Sequence, residues 1–309
     1  MLIHKLQEAG LIQPPKWMPD NVLFLGYSGS VSYGISSDTS DMDCFGFCMP
    51  PKHMVFPYSV GGEIVGFGKQ KERFRVWSQH HIEVKGERKE YDFSVYNIVD
   101  FFNLAMENNP NILDVLFLPR RCILHSTPIG EHVRANRQLF LHKGAMHKFR
   151  GYLFSQLSKI KNKTNSSNPK RVELIERYGY DTKFASHAVR LALEVEQILV
   201  EHDLNIERNS EILKAIRRGE WTLEQVDEWV THKEKALELV YASSSLPHGP
   251  DQEAIKNLLM ECLEMHYGNL QAAVVRNPSM DRLLNDLRTL VDQYSLSEAI
   301  PPATQEGTE

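Results

Sequence analysis

An α+β fold is predicted, with strands gathered in the first third of the chain and long helices after it. Three observations predict it. Short apolar runs at Val22-Leu23-Phe24-Leu25 and Cys44-Phe45-Gly46-Phe47, and the alternation of Tyr91, Phe93 and Val95 with Asp92 and Ser94, read as strands. From about Ile129 the apolar residues recur at helical intervals instead, first through Phe140 to Lys161. Between the first two runs, Gly26-Tyr27-Ser28-Gly29-Ser30 and Asp41-Met42-Asp43 concentrate small and acidic residues around a polar turn.

That junction carries the chemistry. It reads as a strand, a glycine-containing turn, a short helical segment and a second strand opening with two aspartates. Residues two apart in a strand point to one face, so Asp41 and Asp43 place two carboxylates side by side. Two such anions repel unless a cation sits between them. Hard oxygen donors at this spacing suit Mg²⁺, which commonly shares its shell with substrate phosphates. Gly29 and Ser30 allow backbone N–H groups to approach a phosphate closely. Alone, a D-x-D is usually a solvated strand end and a G-S a plain turn; the specificity lies in the combination.

The pattern Gly29-Ser30-Val31-Ser32-Tyr33-Gly34 followed by Ser40-Asp41-Met42-Asp43 resembles the active-site signature of the DNA polymerase β-like nucleotidyltransferases. Within that superfamily it is most similar to the RNA-repair-associated members, and the likeness extends over roughly residues 22–267. The resemblance implies a palm domain, a small mixed sheet with helices, followed by a mostly helical C-terminal domain. It also implies a two-metal mechanism with Mg²⁺ (or Mn²⁺), two ions, and a nucleoside triphosphate as substrate. Val31 departs from the pattern, because a basic residue commonly follows the G-S pair.

Composition excludes other classes. The 309 residues are 42% hydrophobic and 24% charged, as in an ordinary globular protein able to bury a sizeable core. A net charge of −5 makes the whole surface no trap for nucleic acid, leaving any such contact to a local basic region. Cys44, Cys48, Cys122 and Cys262 are too scattered for a disulfide framework, and reduced thiols in a cytoplasmic protein are the simplest account. Cys44-x-x-x-Cys48 with His53 lacks the second ligand pair of a zinc site. No apolar run reaches the ~18–20 residues of a membrane span, and the N-terminus has no signal-peptide core.

In order along the chain, residues 1–21 hold a short amphipathic piece and then the prolines Pro14, Pro15 and Pro19 of an irregular lead-in. Pro50-Pro51 ends the second strand. A basic segment follows, with Lys69, Lys71, Arg73 and Arg75, in which Arg73 to Trp77 alternates like a strand. In the strand around residue 92, Asp92 lies opposite Tyr91, Phe93 and Val95, and the resemblance makes it the third catalytic carboxylate, with Glu90 on the same face as the alternative. A helix from Asp100 stops at Asn109-Pro110, and Asn111 to Phe117 is an apolar scaffold segment.

The boundary falls near 130, giving a palm over 1–130, a helical domain over 131–294 and a disordered tail over 295–309. Cations at Lys143, Lys148, Arg150, Lys159, Lys161, Lys163, Lys170 and Arg171 are either solvated helix faces or a contact for polyphosphate or RNA. With Thr182 or Asp181 as N-cap, Lys183, His187 and Arg190 fall at i, i+4 and i+7 on one helix face. Such a stripe needs an anionic partner, a triphosphate or the aspartates themselves, and the K-x-x-x-H-x-x-R run also resembles the family's second motif. Asn209-Ser210 caps a helix ending at Gly219, Thr222 to Gln225 is a capping box, and a helix starts at Asp251. One more runs from Asp281 to about Tyr294.

The expected activity is transfer of a nucleoside monophosphate from the triphosphate to an acceptor hydroxyl, with release of pyrophosphate. Asp41, Asp43 and Asp92 are the expected catalytic and metal-holding residues; Gly29, Ser30, Lys183, His187 and Arg190 bind the nucleotide. Resemblance to RNA-repair members makes an RNA 3′ end the expected acceptor, with an RNA ligase as a companion enzyme. The alternatives are a small molecule or a protein hydroxyl as acceptor, or a nucleotide-binding module without catalysis.

Overall fold

Strand β1 (Val22–Tyr27) and strand β2 (Met42–Cys48) form an antiparallel pair around which a mixed sheet is completed. The computed structural model describes residues 1–37, 40–51, 59–60, 63–64, 74–86, 89–162, 169–268, 286–287 and 290–291. A hairpin of β3 (Ser59–Val60) and β4 (Glu63–Ile64) stands apart from the main sheet. Strands β5 (Val76–Glu83), β6 (Glu90–Asn97) and β7 (Ile123–Ser126) join the first two in the order β5-β6-β2-β1-β7. β2 and β6 are parallel; the other neighbours are antiparallel.

Strand alternation sorts the side chains between two cores. Ile3 and Leu6 of α1 (Leu2–Glu8), with Ile12 and Met18, cover one face by packing with Cys44, Cys48, Phe93 and Val95. On the opposite face Phe47 lies 5.7 Å from Phe24 and 4.6 Å from Phe101, ring centre to ring centre. Phe101 belongs to α3 (Ile98–Met106), whose N-cap Asn97 accepts the Val99 N–H; Asn109 does the same for Asn111 N–H at the start of α4 (Pro110–Leu116). The apolar scaffold segment is therefore helical, with Pro110 in the first turn, where its missing N–H is harmless.

Beyond β7 every regular element among the described residues is a helix. α5 (Pro128–Ala135) and a 3₁₀ turn at Arg137–Phe140 lead to α6 (Gly144–Asn162). The helix expected from Phe140 thus begins four residues later, because the ring Nδ1 of His142 takes the Gly144 N–H at 3.0 Å. α7 (Pro169–Tyr178), α8 (Thr182–Glu201), α9 (Ser210–Arg217), α10 (Leu223–Ser243) and α11 (Gln252–Tyr267) follow. Asp181 caps α8, Thr222 and Gln225 close the capping box of α10, and Asp251 caps α11. Asn209 precedes α9 without making a side-chain cap, and Gly219, at φ +72°, follows its end.

α8 is the central helix of this half, packed by α6, α9 and α10. Its apolar face joins the cluster that contains Phe24, Phe47 and Phe101, so one core runs from the sheet into the helices. Lys69, Lys71 and Arg73, residues 163–168 and residues 292–309 lie outside the described residues. Among the described residues no helix is long and apolar enough to cross a membrane.

Where β1 and β2 cross the bulge near Val22, Gly46 passes so close that a Cβ there would sit 2.0 Å from the Phe24 carbonyl oxygen and 3.0 Å from the Leu25 Cα. Backbone atoms cannot yield as a side chain can. Gly46→Ala is expected to destabilise the protein by about 3 kcal/mol or more, an overpacking cost at the upper end of its range. A thermal melt unchanged from wild type would refute this.

Candidate active site

The strand–turn–strand junction folds so that a loop and a carboxylate occupy the same space. Gly29 has φ +61°, open to glycine without strain. A Cβ on it would lie 2.1 Å from Asp43 Oδ2, so only a glycine lets the carboxylate rest on the turn. The Ser28 N–H donates to the Asp43 carbonyl at 2.7 Å, fastening the turn to β2. A one-turn helix, α2 (Gly29–Ser32), follows, with the Ser32 hydroxyl donating to the Gly29 carbonyl at 2.9 Å. Val31, where a basic residue was expected, packs against the core, and its carbonyl accepts from Arg121 Nη2 at 3.0 Å.

Parallel pairing of β2 and β6 sets Asp43 directly beside Asp92. The register of β5 against β6 breaks between Gln79 and Ile82, so His80 and His81 bulge opposite Asp92. His81 sits at φ +56°, and its backbone N–H donates to Asp92 Oδ1 at 2.7 Å; the His80 ring lies 3.6 Å from the same oxygen. The bulge therefore fixes the orientation of Asp92. Glu90, the alternative on this strand, is turned to the His81 ring at 3.1 Å.

These residues line one cavity of about 590 Å³ with the helical half as its other wall. Gly29, Ser30, Asp41, Asp43, Asp92, Lys183, His187 and Arg190 all border it, so every site residue expected from the sequence is brought together. Asn111, Glu173, Ser186 and Arg217 join them without having been foreseen.

The three residues on the face of α8 differ in what they offer. Lys183 stands at the open side and makes no ion pair among the described residues, yet enough protein surrounds it that burial, then Arg217 and Arg171, lower its pKa. His187 is pushed down to about 2 by burial and by Arg190, Lys159, Arg217 and Arg171, so its ring is neutral, and its Nε2 is buried without a hydrogen-bond partner. Arg190 is 6% exposed and clasped by two carboxylates, Asp114 at 2.7 Å and Glu194 at 2.9 Å. Its guanidinium also lies 4.3 Å from the centre of the Tyr33 ring, whose hydroxyl donates to Asp114 at 2.5 Å. Burial works against the charge on Arg190, but Glu194, Tyr33 and Asp114 outweigh it and hold the guanidinium protonated.

The cations of the 143–171 run are largely engaged elsewhere. Lys148 pairs with Glu107 at 2.9 Å, Arg150 with Glu238 at 2.7 Å and Lys161 with Asp227 at 3.4 Å. Arg171 pairs with Asp181 at 2.8 Å and stacks 3.9 Å over Phe184. Arg75, of the earlier basic segment, pairs with Asp100 at 3.1 Å.

Asp41, Asp43 and Asp92 make an all-oxygen donor set of the kind a hard divalent cation takes. Burial, then Asp92, raises Asp43 from 3.8 to about 6, with Asp41 adding to it and Lys183 and His80 opposing. Repulsion of this sort is what a bound cation relieves, and the donor set fits one. Among the described residues no three such side chains already stand as a finished coordination cluster.

Two outcomes test this electrostatic picture. The raised Asp43 favours folding fully below pH 3.8, and that contribution is lost as pH rises through about 6. Asp43→Asn is therefore expected to stabilise the protein in EDTA at pH 7 by roughly 1–3 kcal/mol, with the gain shrinking toward pH 4; a lower melting temperature than wild type at pH 7 would refute it. Arg190→Met strands two buried carboxylates and is expected to cost about 3–5 kcal/mol in chemical denaturation. A loss under about 1 kcal/mol, the range of exposed pairs, would mean the trio is not desolvated.

The sequence model of the RNA repair pathway DNA polymerase beta family (RlaP) matches residues 4–286. A solved structure, the nucleotidyltransferase-like protein from Exiguobacterium sibiricum 255-15, aligns with 98% of this chain and 93% of its own at 10% identity, with a TM-score of 0.28. No curated protein matches the sequence. The family match takes in the sheet, the acidic cavity and the helices that close it, and by it the chain belongs to the RNA repair pathway DNA polymerase beta family, built on the polymerase β-like nucleotidyltransferase fold.

Proposed function

We propose that the protein transfers a nucleoside monophosphate from a nucleoside triphosphate to an acceptor hydroxyl, the 3′ end of an RNA. The observation that carries this reading is the cavity itself: aspartates on two adjacent strands face Lys183 across it, with the Gly29 turn at its edge. In the transfer the acceptor oxygen bonds to the α-phosphorus. The bond from that phosphorus to the α,β-bridging oxygen breaks, and pyrophosphate leaves with the electron pair. The acceptor hydroxyl proton is given up to solvent.

Asp41, Asp43 and Asp92 are the residues to hold two Mg²⁺ or Mn²⁺ ions, which when bound lower the pKa of the acceptor hydroxyl and offset charge on the leaving pyrophosphate. Backbone N–H groups at Gly29 and Ser30 bind phosphate oxygens, and Lys183 balances charge that grows on the polyphosphate. His187, being neutral, can exchange a hydrogen bond with the nucleotide but adds no charge. Arg190 acts through Tyr33 and α8, holding the turn and Lys183 in place rather than meeting phosphate with a free charge. The RNA acceptor rests on the family's place in RNA repair, which also makes an RNA ligase the natural companion.

The test is incubation with each α-³²P-labelled nucleoside triphosphate, Mg²⁺ or Mn²⁺ and a short RNA. Label is expected on the RNA with wild-type protein, and a drop of at least ~10³-fold is expected in Asp41→Ala/Asp43→Ala, on the scale of losing electrostatic stabilisation of the transition state. Label on the protein itself would replace RNA by a protein hydroxyl as acceptor. Bound nucleotide with no label anywhere would sink the transfer to RNA.

A further inference from the structure

The basic wall of the cavity holds more positive charge than the Lys183 stripe supplies, and the surplus sits at Arg217. Lys159 of α6, Arg171 of α7 and Arg217 of α9 all lie close enough to act on His187, and the last two act on Lys183 of α8 as well. Two of these have partners already. Arg171 is bonded to Asp181 and stacked on Phe184, and Lys159 lies 5.6 Å over the same Phe184 ring. Arg190, below them, is held by its two carboxylates.

Arg217 is different. It borders the cavity, it makes no ion pair among the described residues, and its Nε is buried with no hydrogen-bond partner. A buried N–H without an acceptor costs about 1–3 kcal/mol, more when the group is charged. Its backbone is tied to the start of α8, since the Thr182 hydroxyl donates to the Arg217 carbonyl at 3.4 Å. Arg217 and Lys183, the residue after Thr182, are thereby set as neighbours; burial lowers the pKa of both, Arg217 lowers Lys183 further, and Arg171 acts on each. Asp181 is the carboxylate that acts on Arg217, but it is already paired with Arg171 at 2.8 Å, and neighbouring cations repel unless an anion lies against both. A planar guanidinium presents paired donors that match two oxygens of one phosphate, which an ammonium cannot do.

We propose that Arg217 is a second cationic phosphate ligand of this cavity, which with Lys183 makes the site select a nucleoside triphosphate over the di- and monophosphate. This rests on the reading of the cavity as a nucleotide site and names the part of the ligand that Arg217 recognises. With both cations reserved for phosphate, a nucleotide loses one charge-assisted contact when its chain is too short to reach them both.

Equilibrium binding of ATP, ADP and AMP, measured by calorimetry with Mg²⁺ and no acceptor, tests it. The wild type is expected to bind ATP most tightly. Arg217→Gln is expected to weaken ATP by about 10- to 100-fold, the scale of a hydrogen bond to a charged group, and AMP by less than about 2-fold, so the ATP-to-AMP preference collapses. Arg217→Lys, which keeps the charge and loses the fork, should recover part of it. Arg218→Gln, at the exposed neighbour paired with Glu220, should bind like wild type and controls for charge at a distance. Unchanged ATP-to-AMP preference in a folded Arg217→Gln protein overturns this assignment alone. Failure of the wild type to bind any of the three overturns the nucleotide reading, and Arg217's role with it.

Discussion

Everything in the cavity depends on one buried charge cluster. Arg190 stands between Asp114 and Glu194, with side-chain exposures of 6%, 1% and 2%, and Tyr33 bonds to Asp114 while its ring faces the guanidinium. Tyr33 comes directly after the one-turn helix Gly29–Ser32, Asp114 from α4 and the ion pair of Arg190 with Glu194 from α8. The cluster thus ties three segments that are distant in sequence. Buried ion pairs need not add net stability over an apolar core, but removing one partner is costly, so the contact tolerates little displacement. Burial and the neighbouring Asp114 also push the Glu194 carboxyl upward, as expected where two carboxylates share one guanidinium.

Anchoring Arg190 fixes more than itself. Lys183 and Arg190 are seven residues apart, two helical turns, and so lie on one face of α8. Once Arg190 is locked against Asp114, the rotation of α8 is set and Lys183 must face the aspartates. On the opposite wall the parallel register of β2 and β6 gives the corresponding constraint, placing Asp43 beside Asp92, and the His80–His81 bulge aims the latter. The cavity is thereby polarised: Asp43 on the sheet is raised by burial and then by Asp92, and Lys183 on α8 is lowered by burial and then by Arg217.

The acidic wall was legible in the sequence because its logic is local. Glycine, D-x-D and the alternation around Asp92 are patterns of neighbours, and period-two spacing alone assigns their faces. The α8 stripe was legible as a stripe, again from spacing. What Arg190 does was not, because its partner Asp114 lies 76 residues away and only the fold brings it close. The same holds for Lys148, Lys161 and Arg150, whose partners Glu107, Asp227 and Glu238 are also distant in sequence. Arg217 carried no signal at all, being one of two arginines at the end of an ordinary amphipathic helix. Val31 was visible as a departure, and the structure gives its reason: that side chain faces the core, and the nearby guanidinium of Arg121 takes only its carbonyl.

These constraints bear on what the helical half is for. A boundary near residue 130 follows the change from strands to helices, yet the apolar cluster continues across it from Phe24 and Phe47 to Ala188, Leu191 and Val195. Without α8, Asp114 would keep its Tyr33 bond but lose the only guanidinium that balances its charge among the described residues, and the turn bearing Gly29 and Ser30 would lose the clamp behind Tyr33. The helices therefore complete the cavity twice, by supplying Lys183 and Arg217 to its open wall and by holding the turn of Gly29 and Ser30 through Tyr33. A sheet that gathers three carboxylates is half of such a site; the other half is α8, fixed through Arg190 to the Tyr33–Asp114 scaffold beside the Gly29 turn.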